Sequence, residues 1–320
     1  MGLLTDGGLH AADPVADGLA ALGLGVGDGA GGDGAAGGAG RAGDHPEPRP
    51  ADGRHLAAWR STVAAAAESA GSAGSAGSTE RPDGMAAPAS GPHPVAATIV
   101  GPYTLARAAA PGAPPAARAR LAAAIADALA EVVAMLAAAG CPVVVVDEPA
   151  AAAAAGADPE RAILAAAHRR LAGAPVATHR SLSLGAGAER LGPAAIYEAG
   201  YASYRFDLIA GPDDWRLAVL APPDRGLVCG ALDPASAGPG DLEVLVWAAR
   251  YAAASRGRGG DRVGLSTAAG FERLTPSVAA LKLRILGEAA RLAAAPRDEL
   301  AGLVDPRALD FPSRPGRTGR

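Results

Sequence analysis

Gly140-Cys141-Pro142-Val143-Val144-Val145-Val146-Asp147-Glu148-Pro149-Ala150 is the stretch on which the fold turns. Four consecutive valines after a Gly-Cys-Pro break predict a strand buried on both faces, the kind that parallel sheets contain. Two carboxylates, Asp147 and Glu148, stand at its C-terminal end, and Pro149 stops further ladder pairing. In parallel α/β folds that end of a strand is where the loops converge and chemistry is done. The same residues also read as a plain strand ending that caps the alanine-rich segment after it.

The pattern around this strand is regular from Val95 to about Ala295. Further strands are expected over 96–100, 175–178, 202–208, 226–232 and 262–266, with the valine strand at 143–147. Helices are expected between them over 116–138, 159–171, 239–255 and 277–294. Asp158-Pro159-Glu160 and Thr275-Pro276-Ser277 supply helix starts, with a proline at the first helical position. One more strand-helix unit fits at the front, over 2–6 and 13–22. Strands alternating with helices imply a parallel α/β fold, about seven units against the eight of a closed barrel.

The remaining segments lack core-forming residues. Residues 27–43 are almost entirely Gly, Ala and Asp, and 71–94 read mostly Ser, Ala, Gly and Pro. Neither has the apolar surface to offset its ordering entropy. Between them, Leu56, Trp59 and Val63 share one face of a short helix expected over 52–69. The expected organisation is a first strand-helix unit over 1–26, a low-complexity and largely disordered insertion over 27–94, the main barrel over 95–295, and a flexible tail over 296–320.

Composition narrows the function classes. The 320 residues are 49% hydrophobic, but alanine supplies much of that and aromatics only 3%, so each buried side chain contributes little area. Net charge is −4 without a basic run, which argues against nucleic acid as a partner. No uninterrupted apolar run approaches the ~20 residues of a membrane span, and the first residues carry no basic n-region, so the cytoplasm is expected. Lys282 is the only lysine; arginine dominance with heavy Ala and Gly fits a GC-rich bacterial genome. Cys141 and Cys229 form no metal-binding spacing and read as buried, reduced thiols.

Ile99-Val100-Gly101-Pro102-Tyr103-Thr104-Leu105 and Asp147-Glu148-Pro149-Ala150 resemble the Gly-Pro-x-Thr-Leu strand end and the Asp-Glu-Pro-Ala motif of one family, the catalytic domain of cobalamin-independent methionine synthase. Thr178-His179-Arg180-Ser181 lies where the family has His-x-Cys. Tyr204-Arg205-Phe206-Asp207 and Gly230-Ala231-Leu232-Asp233 fall at two later strand ends, and Thr267-Ala268-Ala269-Gly270-Phe271 at Pro-x-Cys-Gly-Leu. Leu4-Thr5-Asp6-Gly7-Gly8 is similar to the segment usually ending Asp-Gly-Glu. The order of the motifs, more than any one of them, carries the resemblance.

The resemblance implies a (β/α)8 TIM-type barrel, of the methionine synthase and uroporphyrinogen decarboxylase type, missing its first strand. It implies methyl transfer from a methyl-folate to a thiol such as homocysteine. It places substrate contacts at Asp147, Glu148 and Thr104, with Asp147 on the substrate's amino group. The thiol must become a thiolate to act as a nucleophile, and the family uses zinc for that. His179 and Asp207 fall at ligand positions of this zinc site, but Ser181 and Ala269 replace its cysteines. A serine hydroxyl is a poor zinc ligand and alanine offers none, so zinc is expected to be weak or absent. Gly8 also replaces a substrate-binding glutamate, and Ala235 a proton-donating histidine.

Other readings stay open at this point. His179 alone reads as a hydrogen-bonded structural histidine, and Asp207 as a turn cap. Arg180 and Arg205 are either anion contacts or solvated. The chain could be a non-catalytic barrel that binds a small molecule or another protein, or a metal-free lyase or decarboxylase of the related superfamily. The expected partner is an amino acid or thiol, neither nucleic acid nor membrane, with oligomer formation open.

Overall fold

A computed structural model of the chain describes residues 4–5, 14–22, 24, 48, 53–75, 94–236, 238, 240–271, 273–296 and 300. These fall into two compact units, Met1–Leu182 with Glu198–Gly200, and Ser183–Tyr197 with Tyr201–Arg320. Both are α/β, with strands that run parallel to their neighbours and helices between them.

The first unit opens with β1 (Leu4–Thr5) and α1 (Pro14–Ala21), then α2 (Arg54–Ser75). Next come β2 (Val95–Val100), α3 (Pro102–Ala109), α4 (Pro115–Ala138), β3 (Val143–Glu148) and α5 (Asp158–Ala172). β1 pairs with β2 through Leu4 and Val95, and β2 with β3 through Val100 and Asp147. Gly8 and the rest of the Asp6-Gly7-Gly8 motif lie outside the described residues, as does the 301–320 part of the expected tail.

α4 forms because Leu121, Ile125, Leu129, Val132, Val133 and Leu136 recur at helical spacing and are all buried. It packs against α3 and α5. Its alanines also make it the one helix, among those described, long and apolar enough to cross a membrane, with Asp127 and Glu131 interrupting the apolar run. Half of that apolar window is buried within the protein.

α2 extends beyond the expected 52–69 helix, through Ser75. Trp59 anchors it: the side chain is buried, and its indole Nε1 donates to the Val95 carbonyl of β2 at 3.1 Å. An indole that buries its ring must place its N–H, and the first residue of a strand offers that acceptor.

The valine strand also differs in detail from expectation. Val144, Val146 and Glu148 are buried, while Val143, Val145 and Asp147 are half-buried. Only one face of β3 is sealed by helices, so four identical valines occupy two unlike environments.

β4 (His179–Leu184) contains the boundary between the units. The second unit continues with α6 (Pro193–Tyr197), β5 (Ser203–Asp207), α7 (Trp215–Ala218), β6 (Gly226–Leu232), α8 (Leu242–Ala254), β7 (Val263–Thr267) and α9 (Pro276–Ala294). β5, β6 and β7 pair in that order, with Asp207 opposite Gly230 and Gly230 opposite Ser266. Gly230 is required there, because a Cβ would meet the Phe206 carbonyl. The core joins Leu232 with Leu245 and Val246 of α8 and Ala289 and Leu292 of α9. Lys282 of α9 is fully buried, and its Nζ donates to the carbonyls of Asp233 (2.8 Å) and Gly238 (2.6 Å), holding the loop after β6.

Candidate functional site at the strand ends

Asp147 and Glu148 are neighbours in sequence but point to opposite faces of β3, as the two-residue period of a strand demands. Asp147 stays half-buried on the face that the helices leave open. Its backbone carbonyl accepts from Gly101 N at 2.7 Å, tying the ends of β2 and β3 together.

Glu148 is completely buried and serves the N-terminus of α3. Tyr103 N donates to its Oε1, and Thr104 N to its Oε2, each at 2.9 Å. The Thr104 hydroxyl donates to the same Oε2 at 2.5 Å and accepts from Ala150 N at 3.1 Å. The first amide N–H groups of a helix have no partner within it, and a carboxylate there satisfies them and meets the positive end of the helix dipole. Gly101 must lack a side chain, because a Cβ would collide with this carboxylate. So Glu148 and Thr104, expected as direct substrate contacts, are engaged with each other in the interior.

A second buried group continues this network. His168 of α5 places Nε2 3.1 Å from Glu148 Oε1. The Tyr103 hydroxyl donates to Glu160 Oε2 at 2.9 Å, and Arg118 pairs with the other oxygen of that carboxylate. Burial, then the Glu160 hydrogen bond, push the Tyr103 phenol up to about 12. Sequence reasoning missed His168 and Glu160; the available signal was their recurrence with Leu164 and Leu171 along α5.

His179 departs most from expectation. The strand expected over 175–178 would have put it at a C-terminal end, but β4 begins with His179. Its N–H donates to the carbonyl of Pro142, just ahead of β3. Pro142 and Asp147 are separated by the length of β3, roughly 16 Å at ~3.3 Å per residue. His179 therefore lies at the opposite end of the strands from Asp147. It is exposed on one side, while desolvation on the other lowers its pKa below the usual imidazole value. The neighbouring Arg180 closes α5, donating to the carbonyls of Ala174 (2.8 Å) and Leu171 (3.4 Å).

In the second unit, Asp207 ends β5 and is half-buried. Its Oδ1 accepts from Ile209 N at 3.0 Å and Ala210 N at 2.9 Å, an Asx-type turn. Ala269 is exposed after β7, and Ser181 is buried within β4. The residues at the C-terminal end of β4 are Ser183 and Leu184. Arg205, on the same face of β5 as Asp207, gathers four oxygens there. Its Nε donates to Ser266 Oγ at 3.0 Å and its Nη1 to Ser183 Oγ at 2.9 Å. Its Nη2 donates to the carbonyls of Thr267 (2.6 Å) and Ala268 (2.9 Å). The alternation of Tyr204 and Phe206, both buried, with Arg205 was the sequence signal for this placement.

A carboxyl pair stands in the loops after β4 and β5. Asp214 is buried and accepts from Gly187 N (3.1 Å) and Glu189 N (2.8 Å). Burial, then a hydrogen bond shared with the Glu189 carboxyl, raise Asp214 to about 7, and the same bond lowers Glu189.

These residues do not fit zinc. Among the described residues no group of three or more His, Cys, Asp or Glu could hold a metal ion. Ser181 and Ala269, where the sequence resemblance expected thiolates, offer no sulfur, and one Asp207 oxygen is taken by its own turn. Cys229 is no substitute: it faces the Ala248 carbonyl of α8, and burial pushes its thiol up to about 12, leaving it protonated. Cys141 is also buried, with Sγ 3.2 Å from the Val143 carbonyl.

Comparison with known proteins bears on the same strand ends. Residues 73–178 match the family model for the cobalamin-independent synthase catalytic domain. The match covers about a third of the chain. The match includes the Gly101–Thr104 and Asp147–Ala150 motifs and stops short of His179, Ser181, Asp207 and Ala269. The chain is also similar to a B12-independent methionine synthase from Shewanella sp. W3-18-1, solved in complex with selenomethionine. Identity is 20% and the TM-score 0.52, covering 66% of this chain and 64% of that one. A methyltransferase from Methanosarcina mazei is similar at 18% identity and TM-score 0.47, over 64% of this chain and 60% of that one. The chain thus spans less than two thirds of the length of either structure. No curated protein matches the sequence.

Proposed function

We propose that this chain is a methionine synthase-like protein that binds a small amino acid or thiol, such as homocysteine, at the Asp147 end of β3. The observation that carries the reading is the division of labour between the two carboxylates. Glu148 is spent on α3, which fixes the β3 terminus and leaves Asp147 on the open face. Asp147 closes a strand-end motif that lies within the family match, and a carboxylate there can meet the ammonium group of an amino acid. On this reading Thr104 and Glu148 position the strand end and Asp147 touches the ligand.

Methyl transfer from a methyl-folate to the bound thiol is the reaction that the resemblance to the family implies. The fold is then of the (β/α)8 type, and the cytoplasm is its place of action. A second reading, a binding barrel without catalysis, is favoured by Ser181 and Ala269 at the expected thiolate positions and by the absence, among the described residues, of a group of three or more His, Cys, Asp or Glu to hold the metal that would generate a thiolate. Titration calorimetry with homocysteine and methionine, on the parent and on Asp147→Asn, tests the shared part of both readings. Binding by the parent that weakens at least tenfold in the variant supports it; equal binding by both, or none by either, overturns it. Methyl transfer from methyl-folate to homocysteine by the purified parent then separates catalysis from binding alone.

A further inference from the structure

Arg205 makes a cluster that no expected role accounts for. One guanidinium draws the hydroxyls of Ser183 and Ser266 and the carbonyls of Thr267 and Ala268 to within 3.0 Å. These oxygens come from the ends of β4 and β7, and the cation from β5 between them. An inward ring of oxygens around one positive centre is the arrangement that a bound cation would impose. The ring also adjoins the places where thiolates were expected. Ser183 is two residues from Ser181, and the Ala268 carbonyl belongs to the residue before Ala269.

We infer that the Arg205 guanidinium occupies the cation position of these strand ends, in place of a divalent metal. The inference rests on the family reading given above, because that reading is what calls for a metal here. The substitution has a chemical logic. A guanidinium is permanently charged, planar and rich in donors, so it can organise hydroxyls and carbonyls as a metal organises its ligands. It has no vacant orbital, so it attracts an anionic sulfur without forming a bond to it. It also repels any second cation brought to the same oxygens. The serines suit this centre as thiolates would suit zinc, since hydroxyls accept from N–H donors while soft metals select sulfur.

Cobalt(II) titration tests the inference, because thiolate-bound cobalt absorbs in the near ultraviolet. The probe protein is Ser183→Cys with Ser266→Cys, which puts sulfur at both hydroxyl positions that Arg205 now holds. With Arg205 intact, this double variant is expected to bind cobalt no better than the parent and to show no thiolate band. Adding Arg205→Ala, or Arg205→Met where alanine fails to fold, is expected to tighten cobalt binding at least a hundredfold and to bring up the band. Tight, thiolate-coloured cobalt binding by the double variant with Arg205 present overturns the inference without further variants. So does a triple variant that folds, by circular dichroism, and still excludes cobalt. Neither result touches the Asp147 calorimetry, so a failed metal exchange and a failed family reading are told apart.

Discussion

Glu148 Oε1 lies 3.1 Å from His168 Nε2, with both side chains shut away from solvent. The pair joins α5 to the N-terminus of α3 through a single carboxylate, which also receives two backbone amides and the Thr104 hydroxyl. Removing such a carboxylate leaves several buried donors without an acceptor. Glu148→Ala is therefore expected to destabilise the protein by roughly 3–5 kcal/mol. Glu148→Gln, which turns one acceptor into a donor facing amides, should lose most of the same amount. Urea unfolding midpoints of the two variants check this; a midpoint unchanged in Glu148→Ala would remove the anchoring role.

Trp59 provides a second test, at a different part of the first unit. Its indole N–H and buried ring hold α2 to the start of β2. Trp59→Phe keeps most of the ring and loses the hydrogen bond, at about 1 kcal/mol. Trp59→Ala opens a cavity as well, and should cost about 3–5 kcal/mol. Limited proteolysis should show new cleavage within 54–75 in the alanine variant only.

The carboxyl pair predicts a pH dependence. Asp214 sits at about 7 in the folded chain against 3.8 for the ordinary group. The folded state therefore holds a proton that the unfolded chain has released. The stabilisation is complete below 3.8 and is lost as pH rises from there through about 7. Asp214→Asn carries no titratable proton at that position, so its stability curve should be flatter between pH 4 and pH 7. Thermal melts at matched ionic strength decide it; parallel curves for parent and variant would refute the assignment.

His179 and Asp147 should respond differently to mutation. Their separation along β3, roughly 16 Å, removes His179 from any ligand that Asp147 contacts. His179→Ala should leave amino acid or thiol affinity within twofold of the parent, whereas Asp147→Asn should lose at least tenfold. Calorimetry on the two variants side by side measures this. A large loss in His179→Ala would bring the histidine back to the site.

Most of the architecture could be read from the sequence, because helix and strand periods in this chain rarely conflict. β6 was expected at 226–232 and is Gly226–Leu232, and α4, α5 and α9 start one residue from where they were expected. β4 was not legible: 175–178 offers Pro-Val-Ala-Thr, while the true strand, His179–Leu184, alternates polar and apolar residues. That shift moved the supposed histidine ligand to the other end of the strand. The place of Asp147 near the end of β3 was legible, because the valine run before it sets the strand. The candidate site was illegible where several distant residues share a charge, as around Arg205, since spacing along the chain says nothing about which serines will meet one guanidinium.

Lys282 has a consequence for anyone who handles this protein. It is the sole lysine of the sequence, and its ammonium is sealed inside, held by two backbone carbonyls. No lysine side chain is thus presented to solvent. Amine-directed crosslinkers, surface-immobilisation chemistries and enzymes that acylate or tag lysine have no side chain to seize while the chain is folded. Reaction at Lys282 would instead report the moment the loop after β6 lets go.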